Sequence, residues 1–255
     1  SPPWTLALTY NNGVGWAKGF WVLSLTEPLF KSISRTDHLN MKKVLDVVMF
    51  DLDGTLADTG RDLADAVNHT RAHFDLSPLP DSVVHSYVGR GVERLLKHSL
   101  PEKTPDHFLE VMRVFLDWYE NHLLDATVLY PNVHETLDYF CKKRRAVVTN
   151  KMVRLTVAVL RGLDVEKHFD AIVGGDSGPQ KKPDPALLNY VLDRFQLPAA
   201  RALMVGDGDT DIEAGKRAGV LTCGVTYGLR PREELVAAGP DILIDDLAEL
   251  SRYFC

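Results

Sequence analysis

Residues 47–56 read Val-Val-Met-Phe-Asp-Leu-Asp-Gly-Thr-Leu, and this stretch decides the fold. Its four leading apolar residues are typical of a strand that is buried on both faces, as in a parallel sheet. Asp51 and Asp53 follow directly past the carboxyl end of that strand, which is where ligands bind in open α/β sheets. Two carboxylates at this place indicate a nucleophile, a proton carrier and a divalent cation.

The rest of the chain alternates between strand and helix patterns. Strands are predicted at 44–50, 146–149, 171–174, 202–206, 221–225 and 241–244. Helices are predicted between most of them, at 132–143, 151–162, 184–196, 210–218 and 246–253. Alternation of this kind predicts an α/β fold, a doubly wound parallel sheet with helices on both faces and right-handed crossovers.

A long interval without any strand pattern follows the first acidic motif. Apolar residues at helical spacing indicate two amphipathic helices, one through Leu63, Val67, Thr70 and Phe74 and one through Phe108, Val111, Met112, Phe115 and Tyr119. Shorter helices are predicted at 81–87 and 91–99. We therefore divide the chain into a core, 41–58 plus 130–255, and an inserted helical cap, 59–129. Such an insertion either closes over a substrate and excludes water, or is a decoration without a catalytic part.

Composition and charge exclude several classes of protein. The net charge is −6 without a basic run, so neither nucleic acid nor an anionic membrane surface is an expected partner. No apolar stretch approaches the roughly 18–20 residues of a membrane span. The three cysteines are scattered and have no metal-ligand spacing, which fits a reducing cytoplasm. We predict a cytoplasmic protein, either a monomer or a weak homodimer.

Residues 1–40 differ from the rest, since they follow no clear period and hold three of the four tryptophans. They lack the basic region and the small-residue cleavage site of a secretory signal peptide. We expect them to be an appended, poorly ordered leader, with Met41 as the alternative natural start.

Two further segments place polar groups after predicted strands. Thr149 and Asn150 enter a helix, where a hydroxyl, an amide and free N–H groups either hold a phosphate oxygen or only cap the helix. Lys182 precedes Pro183, which restricts it to an extended backbone and gives it a defined direction. Lys181 should point to solvent, and a solvated turn is the alternative for both lysines.

A second strand-to-acid junction follows residues 202–206. Asp207 stands at the level of Asp51, and Asp209 and Asp211 cap and begin a helix. Three acids in five residues repel one another unless a cation is present. Oxygen ligands without His or Cys select Mg²⁺ or another hard cation rather than Zn²⁺. An EF-hand is excluded because its other loop ligands and its terminal Glu are absent.

Four motifs, taken in order, resemble the haloacid dehalogenase superfamily of phosphotransferases over about residues 44–250. They are Asp51-Leu-Asp53-Gly-Thr55, Thr149-Asn150, Lys182-Pro183 and Gly206-Asp207 with Asp211. The runs Asp-Gly-Thr-Leu-Ala-Asp-Thr, Tyr-Val-Gly-Arg-Gly-Val, Val-Val-Thr-Asn-Lys and Lys-Lys-Pro-Asp-Pro are similar to those of its phosphoglycolate phosphatases. Gly208 departs from the pattern, since relatives often carry Ser there. The resemblance implies a Rossmann-like core with an inserted helical cap.

The resemblance also implies a set of acids for chemistry and metal binding. Asp51 would be the nucleophile that forms an aspartyl-phosphate, and Asp53 would act first as general acid and then as general base. Mg²⁺ would be bound by Asp51, the Asp53 backbone carbonyl and Asp207, with Asp211 as a ligand or close beside the ion.

The remaining implied residues would contact the substrate. Thr149, Asn150 and Lys182 would stabilise charge on the phosphoryl oxygens. Thr55, Arg90 and Gly91 are predicted as substrate-binding residues. Arg90, which lies between two glycines, would offer a bidentate fork to a small carboxylate such as that of glycolate. The alternative for Arg90 is a surface arginine on a flexible hinge.

The expected activity is Mg²⁺-dependent hydrolysis of a small phosphorylated metabolite, first of all 2-phosphoglycolate. The alternatives on the same core are a phosphatase of another small ester, a pyrophosphatase and a sugar phosphomutase. A phosphonate-cleaving relative would need a cap lysine for a Schiff base, and Lys97 and Lys103 stand in no recognisable motif. A non-catalytic phosphate-binding module is the alternative from another class.

Overall fold

The computed structural model describes residues 42–255, and its central element is a six-stranded sheet. The strands are β1 (Val47–Phe50), β4 (Arg144–Val148), β5 (Ala171–Val173), β6 (Ala202–Gly206), β7 (Leu221–Val225) and β8 (Ile242–Ile244). Their order is β5-β4-β1-β6-β7-β8, and each neighbouring pair is parallel. The predicted α/β fold class is thereby confirmed. The predicted leader, 1–40, lies outside the described residues, as does Met41.

The central strand β1 has the burial that its apolar sequence predicts. Val48 and Phe50 belong to one hydrophobic cluster, and Val47 and Met49 belong to the other, so the two faces of the sheet are both covered. All four side chains are completely buried. Full burial of each such side chain contributes roughly 1.5–3 kcal/mol, so a polar substitution in this strand should be strongly destabilising.

Helices cover the sheet and fill the long insertion. Those of the core are α5 (Val133–Tyr139), α6 (Val153–Gly162), α7 (Ala186–Phe195), α8 (Asp209–Ala218), α9 (Arg232–Ala238) and α10 (Leu250–Tyr253). Those of the insertion are α1 (Gly60–His73), α2 (Asp81–His85), α3 (Val92–Ser99) and α4 (Thr104–Tyr119). Helix α4 packs against α1 and α3, and α2 packs against α1. No helix of residues 42–255 is long and apolar enough to cross a membrane.

The insertion is fastened where the chain leaves the core and where it returns. Two short antiparallel strands, β2 (Ala57–Asp58) and β3 (Val128–Leu129), pair at this point. Buried Asp62 accepts hydrogen bonds from the N–H groups of Ala126 and Thr127, both at 2.9 Å, and from the Thr127 hydroxyl at 2.7 Å. The first turn of α1 is therefore held to the returning segment.

A few elements differ from the sequence prediction. The first strand begins at Val47 rather than at 44, and the predicted helix 246–253 is a 3₁₀ turn, Leu247–Glu249, followed by α10. The pair β2–β3 and helix α9 were not predicted. The two strands of that pair have only two residues each, too short for a period of two to be visible.

Candidate active site

Three carboxylates converge at the carboxyl ends of β1 and β6. One oxygen from each of Asp51, Asp207 and Asp211 lies within 4.8 Å of the others, and all three side chains are buried. Asp207 Oδ2 also accepts hydrogen bonds from the N–H groups of Leu229, at 2.8 Å, and Arg230, at 3.2 Å. The structure therefore brings together three acids that the sequence predicted as metal ligands, and adds a loop after β7 that orients one of them.

Two glycines make the approach of these acids possible. A Cβ atom on Gly54, where φ is +82°, would lie 2.2 Å from Asp207 Oδ2. A Cβ atom on Gly206 would lie 2.2 Å from Asp211 Cγ. Neither distance is physically accessible, so both carboxylates occupy space that any other residue would fill.

The acids carry an electrostatic cost in the absence of a cation. Burial raises the pKa of Asp51 to about 7, although Lys182 lowers it, and Asp211 raises it further. Burial, and next the charges of Asp211 and Asp51, raise the pKa of Asp207 well above its usual range. A hard divalent cation would offset this repulsion and desolvation, so the donor set fits such an ion.

A small cavity borders the same acids, and we call it the acidic cavity. Its lining includes Asp51, Asp207 and Asp211, and its volume is about 10 Å³. Roughly 10–15 Å³ suffices for a single water molecule. The acidic cavity thus has the size and the ligands for one ion or one water.

Lys182 is completely buried among these acids. Its Nζ donates to Asp211 Oδ1 and to the Val148 carbonyl oxygen, both at 2.6 Å, and lies 3.2 Å from Asp51 Oδ1. Burial alone would lower the pKa of Lys182, but the charges of Asp211 and Asp51 raise it, so the amine stays an ammonium. The ammonium therefore has three protein partners, two through hydrogen bonds and Asp51 through an ion pair. The neighbouring Lys181 is half-buried and takes no part in this cluster.

Thr149 and Asn150 support the acids in different ways. Thr149 lies close to Asp51 and lowers the pKa of that carboxyl slightly, against the larger effect of burial. Asn150 Nδ2 donates to the carbonyl oxygens of Lys182 and Gly89, both at 2.9 Å, and Oδ1 accepts from the Lys182 N–H at 2.9 Å. Since the amide of Asn150 is occupied by the protein, its geometry favours holding the Lys182 loop over contacting a phosphoryl oxygen.

Asp53 has a separate set of partners. Its Oδ1 accepts a hydrogen bond from the Thr59 hydroxyl at 2.7 Å and from Lys151 Nζ at 3.0 Å. The same Nζ donates to the hydroxyl of Tyr119 on α4 at 2.8 Å. Burial would lower the pKa of Lys151, but Asp53 and Tyr119 raise it, so this amine also keeps its charge.

The sequence reasoning did not single out these three partners of Asp53. Lys151 and Thr59 lie inside motif runs that were read as whole strings, while Tyr119 fits the apolar stripe of its helix. A lysine directly after a strand-end Thr-Asn pair is a usable signal, because its side chain starts at the edge where ligands bind.

A second, larger cavity lies between Asp53 and the helical insertion, and we call it the apolar cavity. Its walls include Leu63, Val92, Leu95 and Phe115, and Lys151 also borders it. Its volume is about 40 Å³, against roughly 10–15 Å³ for one water, so it has room for only a few non-hydrogen atoms.

The three predicted substrate-binding residues have different surroundings. Thr55 is completely buried and borders neither cavity, and its carbonyl oxygen accepts from the Tyr227 hydroxyl at 2.9 Å. This environment favours a structural role for Thr55. Gly91, where φ is +85°, borders the apolar cavity and begins the turn into α3.

Arg90 borders the acidic cavity rather than the apolar one, and its guanidinium is paired with Asp209. Asp209, expected as the N-cap, is instead the first residue of α8, whose N-cap is Gly208; Asp211 at the third helical position accepts from the Gly208 N–H through Oδ2 at 3.1 Å. Binding of a substrate carboxylate by Arg90 remains a prediction, and such binding would have to compete with Asp209.

Comparison with known proteins adds independent information. A family model for haloacid dehalogenase-like hydrolases matches residues 48–225. A curated phosphoglycolate phosphatase from Vibrio cholerae is 36% identical over 217 residues, which cover 82% of this chain and 96% of the relative. One from Pseudomonas putida is 38% identical and covers 80% of this chain and 78% of the relative.

A solved structure also superposes on the fold. It is the crystal structure of a predicted phosphoglycolate phosphatase from Haemophilus somnus, with a TM-score of 0.78 and 31% identity. The superposition covers 81% of this chain and 96% of that one. The family match extends from β1 to β7 and so includes both strands that carry the acids.

Proposed function

Because this chain belongs to the haloacid dehalogenase-like hydrolases, as its motifs predicted, we propose that it is a Mg²⁺-dependent phosphomonoesterase acting on 2-phosphoglycolate. The observation that carries the proposal is the convergence of Asp51, Asp207 and Asp211 within 4.8 Å around a buried lysine, Lys182. The name and the coverage of the Vibrio cholerae relative support phosphoglycolate as the substrate.

The cation would be held by side chains of Asp51 and Asp207 and by the Asp53 backbone carbonyl, with Asp211 as a ligand or beside it. When bound, Mg²⁺ supplies charge neutralisation for the phosphoryl group and for the buried carboxylates. The raised pKa values of Asp51 and Asp207 support this assignment, because a cation would offset the burial and the like charges that cause both shifts.

The first chemical step is attack by Asp51 on phosphorus. Its Oδ1 is held by the Leu52 N–H at 2.7 Å and by Lys182 at 3.2 Å, which leaves Oδ2 as the attacking oxygen. The new bond joins Oδ2 to phosphorus while the ester P–O bond breaks in line with it. Asp53 gives its proton to the departing oxygen, so the alcohol leaves neutral at that atom.

The second step hydrolyses the aspartyl-phosphate. Asp53, now ionised, takes a proton from a water molecule, and the water oxygen attacks phosphorus. The bond between phosphorus and Asp51 breaks, inorganic phosphate leaves, and both carboxylates return to their starting states. Lys182 stabilises the added negative charge of the phosphoryl oxygens in each step, and Thr149 orients the nucleophile.

We propose that residues 59–129 act as a cap that limits substrate size and excludes water. Three hydrogen bonds from the core to the link between α2 and α3 support this role. They run from Asn150 to the Gly89 carbonyl oxygen, from Arg230 to the Ser86 carbonyl oxygen, and between Arg90 and Asp209. The apolar cavity that remains under this cap fits a leaving group of a few atoms.

A panel of phosphate esters tests the proposal. Inorganic phosphate release is measured from 2-phosphoglycolate, glucose 1-phosphate, glucose 6-phosphate and pyrophosphate, with Mg²⁺ and with a chelator, and is compared as kcat/KM. We expect the highest value for 2-phosphoglycolate and loss of release with the chelator. Isomerisation of a sugar phosphate without release of phosphate would instead identify a mutase.

The Asp51→Asn variant separates an enzyme from a phosphate-binding module. We expect its phosphate release to fall at least about 10⁴-fold, because it removes the nucleophile. Asp46→Asn is the matched control, since Asp46 lies at the opposite end of β1 and pairs with Arg201. No release by the unaltered protein from any ester in Mg²⁺ would contradict the proposed function.

A further inference from the structure

A buried lysine, Lys151, borders the apolar cavity. Among the described residues that line it, Lys151 is the only one with a positive charge, Asp51 and Asp53 are the acids, and the wall beyond them is formed mainly by aliphatic and aromatic side chains. The Lys151 side chain is 5% exposed. An ammonium in such low-dielectric surroundings attracts a negatively charged ligand far more strongly than one in water.

The geometry of the ammonium leaves it able to accept a further partner. Its Nζ binds Asp53 Oδ1 at 3.0 Å and the Tyr119 hydroxyl at 2.8 Å, and an ammonium has three N–H groups. Hydrogen bonds to the described residues therefore use two of them, since the longer approach to Asp53 Oδ2, 3.4 Å, belongs to the same carboxylate. Because Lys151 borders the cavity, the third N–H is available to a ligand there.

The position of Lys151 limits the distance between the charge of that ligand and the reacting bond. Asp53 must reach the leaving oxygen to protonate it, and Lys151 is 3.0 Å from Asp53. An anionic group that binds Lys151 therefore lies within a few bonds of the leaving oxygen. A carboxylate on the carbon that bears the ester oxygen meets this requirement, and the cavity of about 40 Å³ leaves little room for more.

We infer that Lys151 binds the carboxylate of the leaving group and thereby selects phosphate esters of small 2-hydroxycarboxylates. This inference rests on the proposed phosphatase function and assigns its substrate class to one residue. Tyr119 positions Lys151 from the cap, so selectivity for the carboxylate depends on the cap being closed. Arg90 is engaged by Asp209 at the other cavity and is not needed for this recognition.

Two esters of the same skeleton test the inference. In ethyl phosphate a methyl group stands where 2-phosphoglycolate has its carboxylate, so the ratio of their kcat/KM values isolates the contribution of the charge. We expect Lys151→Met to lower this ratio about 10- to 100-fold, as for a lost charge-assisted hydrogen bond. Because Lys151 also contacts Asp53, the substitution can weaken proton transfer by Asp53. That loss of activity affects both esters equally and cancels in the ratio.

Arg90→Met is the matched control, since it removes a cation that borders the acidic cavity rather than the apolar one. We expect it to change the ratio less than about threefold. Lys151→Arg, which keeps the charge but moves it, should retain more of the ratio than Lys151→Met does. If Lys151→Met fails to fold by circular dichroism, inhibition of the unaltered enzyme decides: glycolate should inhibit more strongly than the uncharged glycolamide.

The outcomes that overturn the inference are distinct from failure of the proposed function. An unchanged ratio in Lys151→Met, a ratio lost in Arg90→Met, or equal inhibition by glycolate and glycolamide would each exclude Lys151 as the carboxylate-binding residue. Equal hydrolysis of both esters by the unaltered enzyme would exclude the substrate class while leaving a working phosphatase. Absence of phosphate release from both would refute the phosphatase itself.

Discussion

The proposed site has a phosphoryl side, around Asp51 and Lys182, and a leaving-group side, around Asp53 and Lys151. Each side contains a buried lysine that is paired with an acid, but the two lysines differ in their other partners. On the phosphoryl side, Lys182 is completely buried and donates to Val148 and Asp211 while touching Asp51. On the leaving-group side, Lys151 is equally enclosed but binds only Asp53 and Tyr119 among the described residues. Each lysine keeps its charge because the neighbouring acid outweighs the cost of burial.

The difference lies in the unused hydrogen-bonding capacity. Lys182 has three protein partners, two through hydrogen bonds and Asp51 through an ion pair, so we expect it to link the acids and to act on the phosphoryl group mainly through its charge. Lys151 has one N–H left and faces a cavity, so it is able to recognise a ligand. A saturated buried lysine thus positions acids, whereas an unsaturated one selects a substrate.

Among the variants that test this comparison, Lys182→Met should cause the largest loss of activity. We expect kcat/KM to fall about 10²- to 10³-fold for 2-phosphoglycolate and for ethyl phosphate alike, because the lost charge acts on the group that both esters share. Lys181→Met is the control from the adjacent position and should stay within about threefold. A selective loss for one of the two esters would show that the two sides of the site are not separate.

Asp207→Asn should weaken the metal site of the phosphoryl side. We expect the Mg²⁺ concentration for half-maximal activity to rise about 10- to 100-fold, since a neutral amide replaces a charged ligand. The control is Asp209→Asn, which alters an acid of the same run that pairs with Arg90. Equal Mg²⁺ requirements for the two variants would argue against Asp207 as a ligand.

The pH dependence of stability tests the electrostatic cost of the same acids. The pKa of Asp51 rises from 3.8 to about 7 on burial, so the folded protein holds a proton that the unfolded chain has released. Without a cation, stability should therefore fall as the pH rises through this window. Since Mg²⁺ binds the ionised form, its stabilising effect should grow over the same range.

Melting temperatures with Mg²⁺ and with a chelator measure this effect. We expect the Mg²⁺-induced rise at about pH 8 to exceed that at about pH 5 by several degrees, given about 2–4 °C per kcal/mol for proteins of this size. Asp51→Asn should reduce the difference because it removes one of the two acids whose pKa values are raised, Asp207 being the other. An identical Mg²⁺ effect at both pH values would contradict the assignment of Asp51 as a ligand.

Tyr119→Phe should have the smallest effect, and only on the leaving-group side. We expect kcat/KM for 2-phosphoglycolate to fall about 3- to 10-fold while that for ethyl phosphate changes less, because Lys151 loses one of its two protein partners. Tyr253→Phe serves as the control, since Tyr253 is 40% exposed on α10. Equal losses for both esters would make Tyr119 a general support of Asp53 rather than of Lys151.

Sequence alone determined the sheet, the acids and the family. The runs that became β1 and β6 are apolar throughout, and each ends in an acid, so their positions at the same edge follow from parallel pairing. Pro183 indicated a defined direction for Lys182, with a solvated turn as the alternative, and the structure buries Lys182 but leaves Lys181 half-buried. These conclusions rest on properties that are local in the chain: period, length and the residue after a strand.

Tertiary structure alone decided the contacts between distant segments. Tyr119 reaches Lys151 across 32 residues of sequence, and Arg90 meets Asp209 across 119. The sequence allowed the Asn150 amide to bind a phosphoryl oxygen, but in the structure this amide donates hydrogen bonds to the carbonyl oxygens of Lys182 and Gly89. These hydrogen-bond partners depend on how the inserted helices pack against the sheet and its loops, and no local sequence pattern encodes that packing. The unused donors of a side chain can be counted only when all of its neighbours are known.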